Sequence, residues 1–133
     1  MSILTTGSAI TFSDGSTQSS GKPVAKAFVN FNSGGTTYSE YNVSSVTRNS
    51  TGNYTINYIN PLSSTQYVVV VSSSSNSGGG AQTWEIADSG PNLNSGGFSL
   101  SNMTTTFVRI QGGSSGTSVP YDAYMNCVAI FDI

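Results

Sequence analysis

Apolar side chains in this chain recur at every second position, and no stretch of a dozen residues carries the three-and-four spacing of an amphipathic helix. Successive side chains of a strand point to opposite faces, so an alternating run reads as a half-buried strand. Residues 24–32 (VAKAFVNFN) put Ala25, Ala27, Val29 and Phe31 on one face against Lys26, Phe28 and Asn30 on the other. Residues 54–59 repeat the pattern with Tyr54, Ile56 and Tyr58. Ala, Leu, Glu and Lys, the strong helix formers, are scarce, which removes the main alternative.

Further strands are expected at 43–48, 82–86 and 107–111, with short pieces near 10–12 and 98–100. Residues 67–71 (YVVVV) and 124–131 (YMNCVAIF) are apolar on both faces and are expected to be central strands, with Cys127 a small buried side chain. Asn49-Ser50-Thr51-Gly52-Asn53 joins two strand signals and supplies a glycine for positive φ, so it predicts a hairpin. Segments 72–80, 88–97 and 112–116 are rich in Ser, Gly and Asn and read as exposed loops. The count comes to about seven to nine strands, spaced as in a β-sandwich. We therefore expect an all-β, antiparallel, jelly-roll-like sandwich over residues 22–133, preceded by a short N-terminal arm over residues 1–21, and no fixed-period repeat.

Ser, Thr, Asn and Gly make up about half of the 133 residues, and only four basic and six acidic residues are present. Such polarity argues for disorder unless enough apolar area exists to offset the ordering entropy. Here 36% of residues are hydrophobic and the net charge is −2, which favours a folded protein. Lys22, Lys26, Arg48 and Arg109 are scattered and form no electropositive stripe, so nucleic acid is not an expected partner. No run approaches the ~20 apolar residues of a membrane-spanning helix, and residues 1–20 lack the basic and apolar regions of a signal peptide.

The absence of histidine and the single cysteine rule out the usual triads and zinc sites. Glu85 and Asp88, beside Trp84, are the only close acidic pair, but glycosidase carboxylates come from separate segments flanking the substrate. Asp14-Gly15-Ser16 lacks the acidic spacing of a calcium loop and reads as a turn. Gly78-Gly79-Gly80 precedes no GK[ST] signature. The sequons at Asn42, Asn49, Asn53 and Asn102 are at the frequency expected by chance in such a composition. No enzyme, cofactor or metal site is expected. Tyr38, Tyr41, Trp84 and Tyr121 lie next to predicted loops, where flat rings with polar tips stack on sugars or bury at interfaces; Trp84 is the first candidate contact.

Residues 25–62, AKAFVNFNSGGTTYSEYNVSSVTRNSTGNYTINYINPL, resemble a segment widespread in phage and prophage tail-fibre proteins. The shared pattern is a KAWVNFN-like strand, a Tyr-Asn-Val-Ser-Ser strand, a glycine turn and a GxYTVNF-like strand. Upstream, Ile10-Thr11-Phe12-Ser13-Asp14-Gly15-Ser16-Thr17-Gln18-Ser19 resembles the IxFxDG(S/T)xQ(S/T) string that precedes such segments in phage structural proteins, those of cyanophages included. Cys127–Phe131 is similar to their last strand, whereas residues 72–120 diverge.

The resemblance implies a virion protein, assembled in the host cytoplasm, that forms a homotrimer along a fibre axis. It implies an arm, with Ile10, Phe12 and Asp14, that docks on another virion protein, and contact with host-surface glycan by Trp84, Tyr38, Tyr41 and Tyr121. Tail fibres carry this module at the end of a long chain, whereas here it begins almost at Met1. A short tail fibre or fibre tip is the expectation, with a capsid or tail decoration protein that binds no receptor as the alternative.

Overall fold

The computed structural model describes residues 4–6, 9–19, 25–74, 82–87, 100–114 and 120–132. Eleven strands account for most of them, with one 3-10 turn at Leu100–Asn102 and no α-helix among the described residues. Strands β1 (Leu4–Thr6), β2 (Ala9–Thr11) and β3 (Thr17–Ser19) form a three-stranded antiparallel meander of their own, where the sequence suggests an arm with one short strand near 10–12. Its second turn is the Asp14-Gly15 reversal: Gly15 has φ 82°, and Asp14 Oδ1 accepts hydrogen bonds from Ser16 N at 2.9 Å and Ser16 Oγ at 2.6 Å.

The rest forms the expected antiparallel sandwich. Sheet I has the order β5 (Thr37–Tyr41), β4 (Ala25–Asn32), β11 (Met125–Asp132), β8 (Tyr67–Ser74). Sheet II has the order β6 (Val43–Ser50), β7 (Asn53–Tyr58), β10 (Phe107–Ser114), β9 (Gln82–Ile86). Hairpins β4–β5, β6–β7 and β9–β10 stay within one sheet, while the chain crosses at β5/β6, β7/β8, β8/β9 and β10/β11. Alternation decides what is buried. Ala27, Val29, Phe31, Val128 and Ile130 from sheet I meet Val43, Tyr54, Ile56, Val108 and Ile110 from sheet II. Phe31 packs edge-on against Tyr54 across the sheets with ring centroids 5.0 Å apart.

Four expectations need correction. Strand β8 is not central: it stands last in sheet I, paired with β11, and its outer face meets water, with Val68 and Val70 47% and 50% exposed. Strand β11 is central, yet Cys127 is exposed: Asn126, Val128 and Ile130 face inward, so period two turns Cys127 out. Gly112 and Gly113, read as loop, are in β10, opposite Trp84 and Thr83. Leu100, expected to end a short strand, begins the 3-10 turn, while Phe98 and the loop stretches 75–80 and 88–97 lie outside the described residues.

One end of the sandwich is tied by Asp122, just before β11. Its Oδ2 accepts from Arg48 Nη2 at 2.6 Å and Nε at 3.1 Å, and its Oδ1 from Gly52 N at 2.7 Å. Tyr54 Oη lies 2.8 Å from both Asp122 Oδ1 and the Ser33 carbonyl oxygen. A single phenolic proton serves one acceptor at a time, and the charged carboxylate is the stronger. Burial alone would raise the Asp122 carboxyl pKa, but the hydrogen bonds from Arg48, Gly52 and Tyr54 outweigh it and the net shift is downward.

Beneath this carboxylate the predicted hairpin turn is in place, with Gly52 at φ 69°. A Cβ there would run into the Gly112 carbonyl and come within 2.8 Å of Tyr121 N. Gly52→Ala therefore combines a strained φ with a backbone clash and is expected to cost ~2 kcal/mol or more, measured as a lower urea midpoint at unchanged slope. Because Asp122 titrates lower in the folded chain than the ~3.9 of a free aspartate, its contribution is complete above about pH 4 and is lost as pH falls through its folded value. Asp122→Asn is expected to lower neutral-pH stability by about 1–3 kcal/mol and to flatten the acid dependence of the denaturation midpoint. Asp14, also held low by Ser16, supplies part of what remains.

Candidate functional site

The two outer faces of the sandwich differ in chemistry. On sheet II the outward positions are mostly polar, with Glu85, Arg109, Gln111 and one ring, Phe107, beside the Ser, Thr and Asn side chains. Several of them bond to one another: Asn57 Nδ2 donates to Ser45 Oγ at 3.0 Å, Asn49 Nδ2 to Thr55 Oγ1 at 2.8 Å, and Asn53 Nδ2 to Gln111 Oε1 at 3.1 Å. Gln111 Nε2 is the exception, buried without a hydrogen-bond partner. On sheet I, Tyr41, Phe28, Ala129 and Val70 are register partners in one row across all four strands, and Val68 pairs with Phe131 beside them. Tyr41 is 56% and Phe28 41% exposed. Their rings stack at 5.7 Å and 23°.

Tyr41 also stands over a groove of about 610 Å³ at the end of the sandwich opposite Asp122, lined by Lys26, Glu40, Asn42, Ile59, Asn60 and Ser63 among others. Its floor is fixed by Asn42, the only non-glycine residue with positive φ (55°) among the described residues. Asn42 Nδ2 donates to the carbonyls of Lys26 at 3.0 Å and Asn60 at 3.1 Å, and its Oδ1 accepts from Asn60 N at 2.7 Å. Asparagine tolerates the left-handed region better than most residues and bonds locally, which suits it to this sheet crossing. The groove combines an exposed ring with convergent polar groups, a combination found in ligand sites.

Trp84 is placed differently. It stands in β9, half-buried, with its indole over Gly112, where a Cβ would come within 2.7 Å of the ring. The indole N–H donates to Ser73 Oγ on β8 at 2.9 Å, which fastens the two sheets at their edge. With Val69, Val71, Ile86 and Met103 the ring lines a cleft of about 670 Å³. Trp84 is therefore chiefly a packing residue. Tyr121 lies nearby, its N–H donating to the Gly112 carbonyl at 3.1 Å. Tyr38 is 62% exposed, and its hydroxyl accepts from Asn32 Nδ2 at 3.4 Å. Of the four aromatic candidates, the structure brings Trp84 and Tyr121 together about Gly112 and sets Tyr41 at the other end.

In the N-terminal sheet, Phe12 and Asp14 are exposed, and Ile10 pairs with Thr5 and Gln18 in the backbone ladder. Of the acidic pair, Glu85 lies on β9 opposite Gln111, and Asp88 lies outside the described residues. The amide nitrogens of all four sequon asparagines donate within the fold, that of Asn102 to the Ala87 carbonyl. No group of three or more His, Cys, Asp and Glu is gathered among the described residues. Sequence reasoning missed Val68 and Val70 as surface residues, and set Phe28 on the outward face of β4 without naming it a contact candidate. The signal was present for Phe28, which alternates against the buried Val29 and Phe31.

Compared with known proteins, the chain matches no family model, no curated protein and no solved structure. Structural and surface aromatics separate by mutation. Trp84→Ala is expected to destabilise the fold by about 3 kcal/mol, because it uncovers Gly112 and removes the Ser73 bond. Tyr41→Ala, stripping an exposed ring, is expected to cost less than ~1 kcal/mol. Chemical denaturation of the two variants reads the difference.

Proposed function

We propose that this chain is a non-enzymatic structural subunit of a bacteriophage virion, a short tail fibre or fibre tip that assembles as a homotrimer. The observation that carries the reading is where the fibre-like segment falls. Residues 25–62 span hairpins β4–β5 and β6–β7, so the resembling stretch supplies half of each sheet. The preceding DGS string forms the turn of the small N-terminal sheet, residues that in this reading dock on another virion protein. A four-strand-wide apolar row on an outer face supports assembly, since contiguous apolar patches on a surface often mark interaction sites.

In the fibre reading the Tyr41 groove is the place for host-surface glycan, because its ring is exposed and rigidly backed by Phe28. A decoration protein that binds no receptor is the second reading. It is favoured by the position of Trp84, whose ring packs on Gly112 in place of facing outward.

Light scattering on the purified chain at micromolar concentration is expected to give the mass of a trimer; a stable monomer overturns the oligomeric reading. Labelled protein is expected to bind host cells and Tyr41→Ala to bind less. Absence of binding by either protein selects the decoration reading.

A further inference from the structure

We infer that the outer face of sheet I is the surface on which copies of this chain bury against one another, with Cys127 enclosed in the contact. This rests on the homo-oligomeric reading above and gives it a location.

The face is apolar where register aligns Phe28, Ala129 and Val70, and Val68 and Phe131 extend that patch; Tyr41, on the edge strand β5, stands at its rim, where the groove at the end of the sandwich stays open. The adjoining row is Ser39, Asn30, Cys127 and Ser72, uncharged throughout. Lys26 is the single charged side chain on the outward positions of β4, and the outward positions described on β8 and β11 carry none. A face with one positive charge has little with which to select a nucleic acid or an acidic peptide. Its complement is another neutral, apolar, flat sheet, and a second copy brings one.

Size agrees. Three strands of eight residues and the five residues of β5, ~4.8 Å apart and rising ~3.3 Å per residue, make a face of about 460 Å². Two such faces remove about 900 Å² from water, close to the ~1,000 Å² that a specific interface needs. The face is also not smooth: a hollow of about 360 Å³ lies between Phe28, Asn30, Val70, Cys127 and Ala129, and the protruding Phe28 ring stands at its margin. Around a threefold axis the ring of each copy meets the hollow of the next, a head-to-tail contact that closes after three copies. Asn30 adds a local reason for closure. Its Nδ2 donates to Cys127 Sγ at 3.3 Å, while its Oδ1 is buried without a partner in the single chain.

Cys127 is the only cysteine, so it reports on this face without engineering. The test is the rate of maleimide labelling of the full chain, alongside light scattering, for the native protein and for Ala129→Lys, Val70→Lys and Thr47→Lys, the last on the outer face of sheet II. Expected is a native oligomer with Cys127 slow to label. Ala129→Lys and Val70→Lys are each expected to weaken self-association by about 100-fold or more, since an ammonium would be buried in a dry contact, and to label rapidly with an unchanged circular dichroism spectrum. Thr47→Lys is expected to behave as the native chain. An oligomer in which Cys127 labels as fast as in Ala129→Lys overturns the location while leaving the oligomeric reading intact. A monomer at all concentrations overturns both.

Discussion

The carboxylate of Asp122 is the constraint on which one end of this sandwich depends. Four donors converge on it from the β6–β7 hairpin: two guanidinium nitrogens of Arg48, the Gly52 amide and the Tyr54 hydroxyl. Asp122 itself leads into β11, the second central strand of the other sheet. The link therefore joins sheet II to sheet I through segments about 70 residues apart in sequence. Tyr54 transmits the same constraint inward, because its ring packs on Phe31 in the core while its hydroxyl reaches the carboxylate and the β4–β5 turn. With only 23% of the Asp122 side chain and 37% of the Arg48 side chain exposed, the pair is shielded more than an ordinary surface ion pair.

Backbone shape around this carboxylate follows from two glycines. Gly52 lets the hairpin pass under the Gly112 carbonyl and the Tyr121 backbone, and Gly112 lets the Trp84 indole lie flat on β10. An aromatic ring covering a strand glycine restores the packing that the missing side chain would have provided. Tryptophan thus closes the β8–β9 edge of the sandwich, and the opposite end is held by Asn42. With the ends and one edge fixed in this way, what is left to interact is a face. Sheet II is mostly polar on its outward positions, many of which bond to each other, and sheet I presents rings and valines.

Much of the fold was legible before any coordinates. The alternation in residues 25–32 located β4 and its buried side, the glycine in 49–53 located the hairpin turn, and Asp14-Gly15 located the turn in the N-terminal sheet. Two of the errors share one cause. In 67–71 and 124–131 apolar residues occur at consecutive positions, and such a run looks the same whether its second face meets another layer or water. Both runs were read as buried on both sides, which placed β8 centrally and Cys127 inside. The candidate site was only partly legible for a related reason. Trp84 reads as a contact because it stands between the loop-like segments 72–80 and 88–97, and with Gly112 and Gly113 also reading as loop, nothing local shows that its ring covers them.

Local chemistry determined the strands, the turns and the antiparallel all-β class, because side-chain period and glycine φ are properties of neighbours along the chain. It also removed the histidine- and cysteine-based chemistries by composition. Tertiary structure decided which strands became edges, which of two apolar faces met the other sheet, and where Asp122 found its donors. Those outcomes depend on pairing between residues far apart in sequence, where the order β5-β4-β11-β8 sets Tyr41, Phe28, Ala129 and Val70 side by side. No window along the chain contains that row.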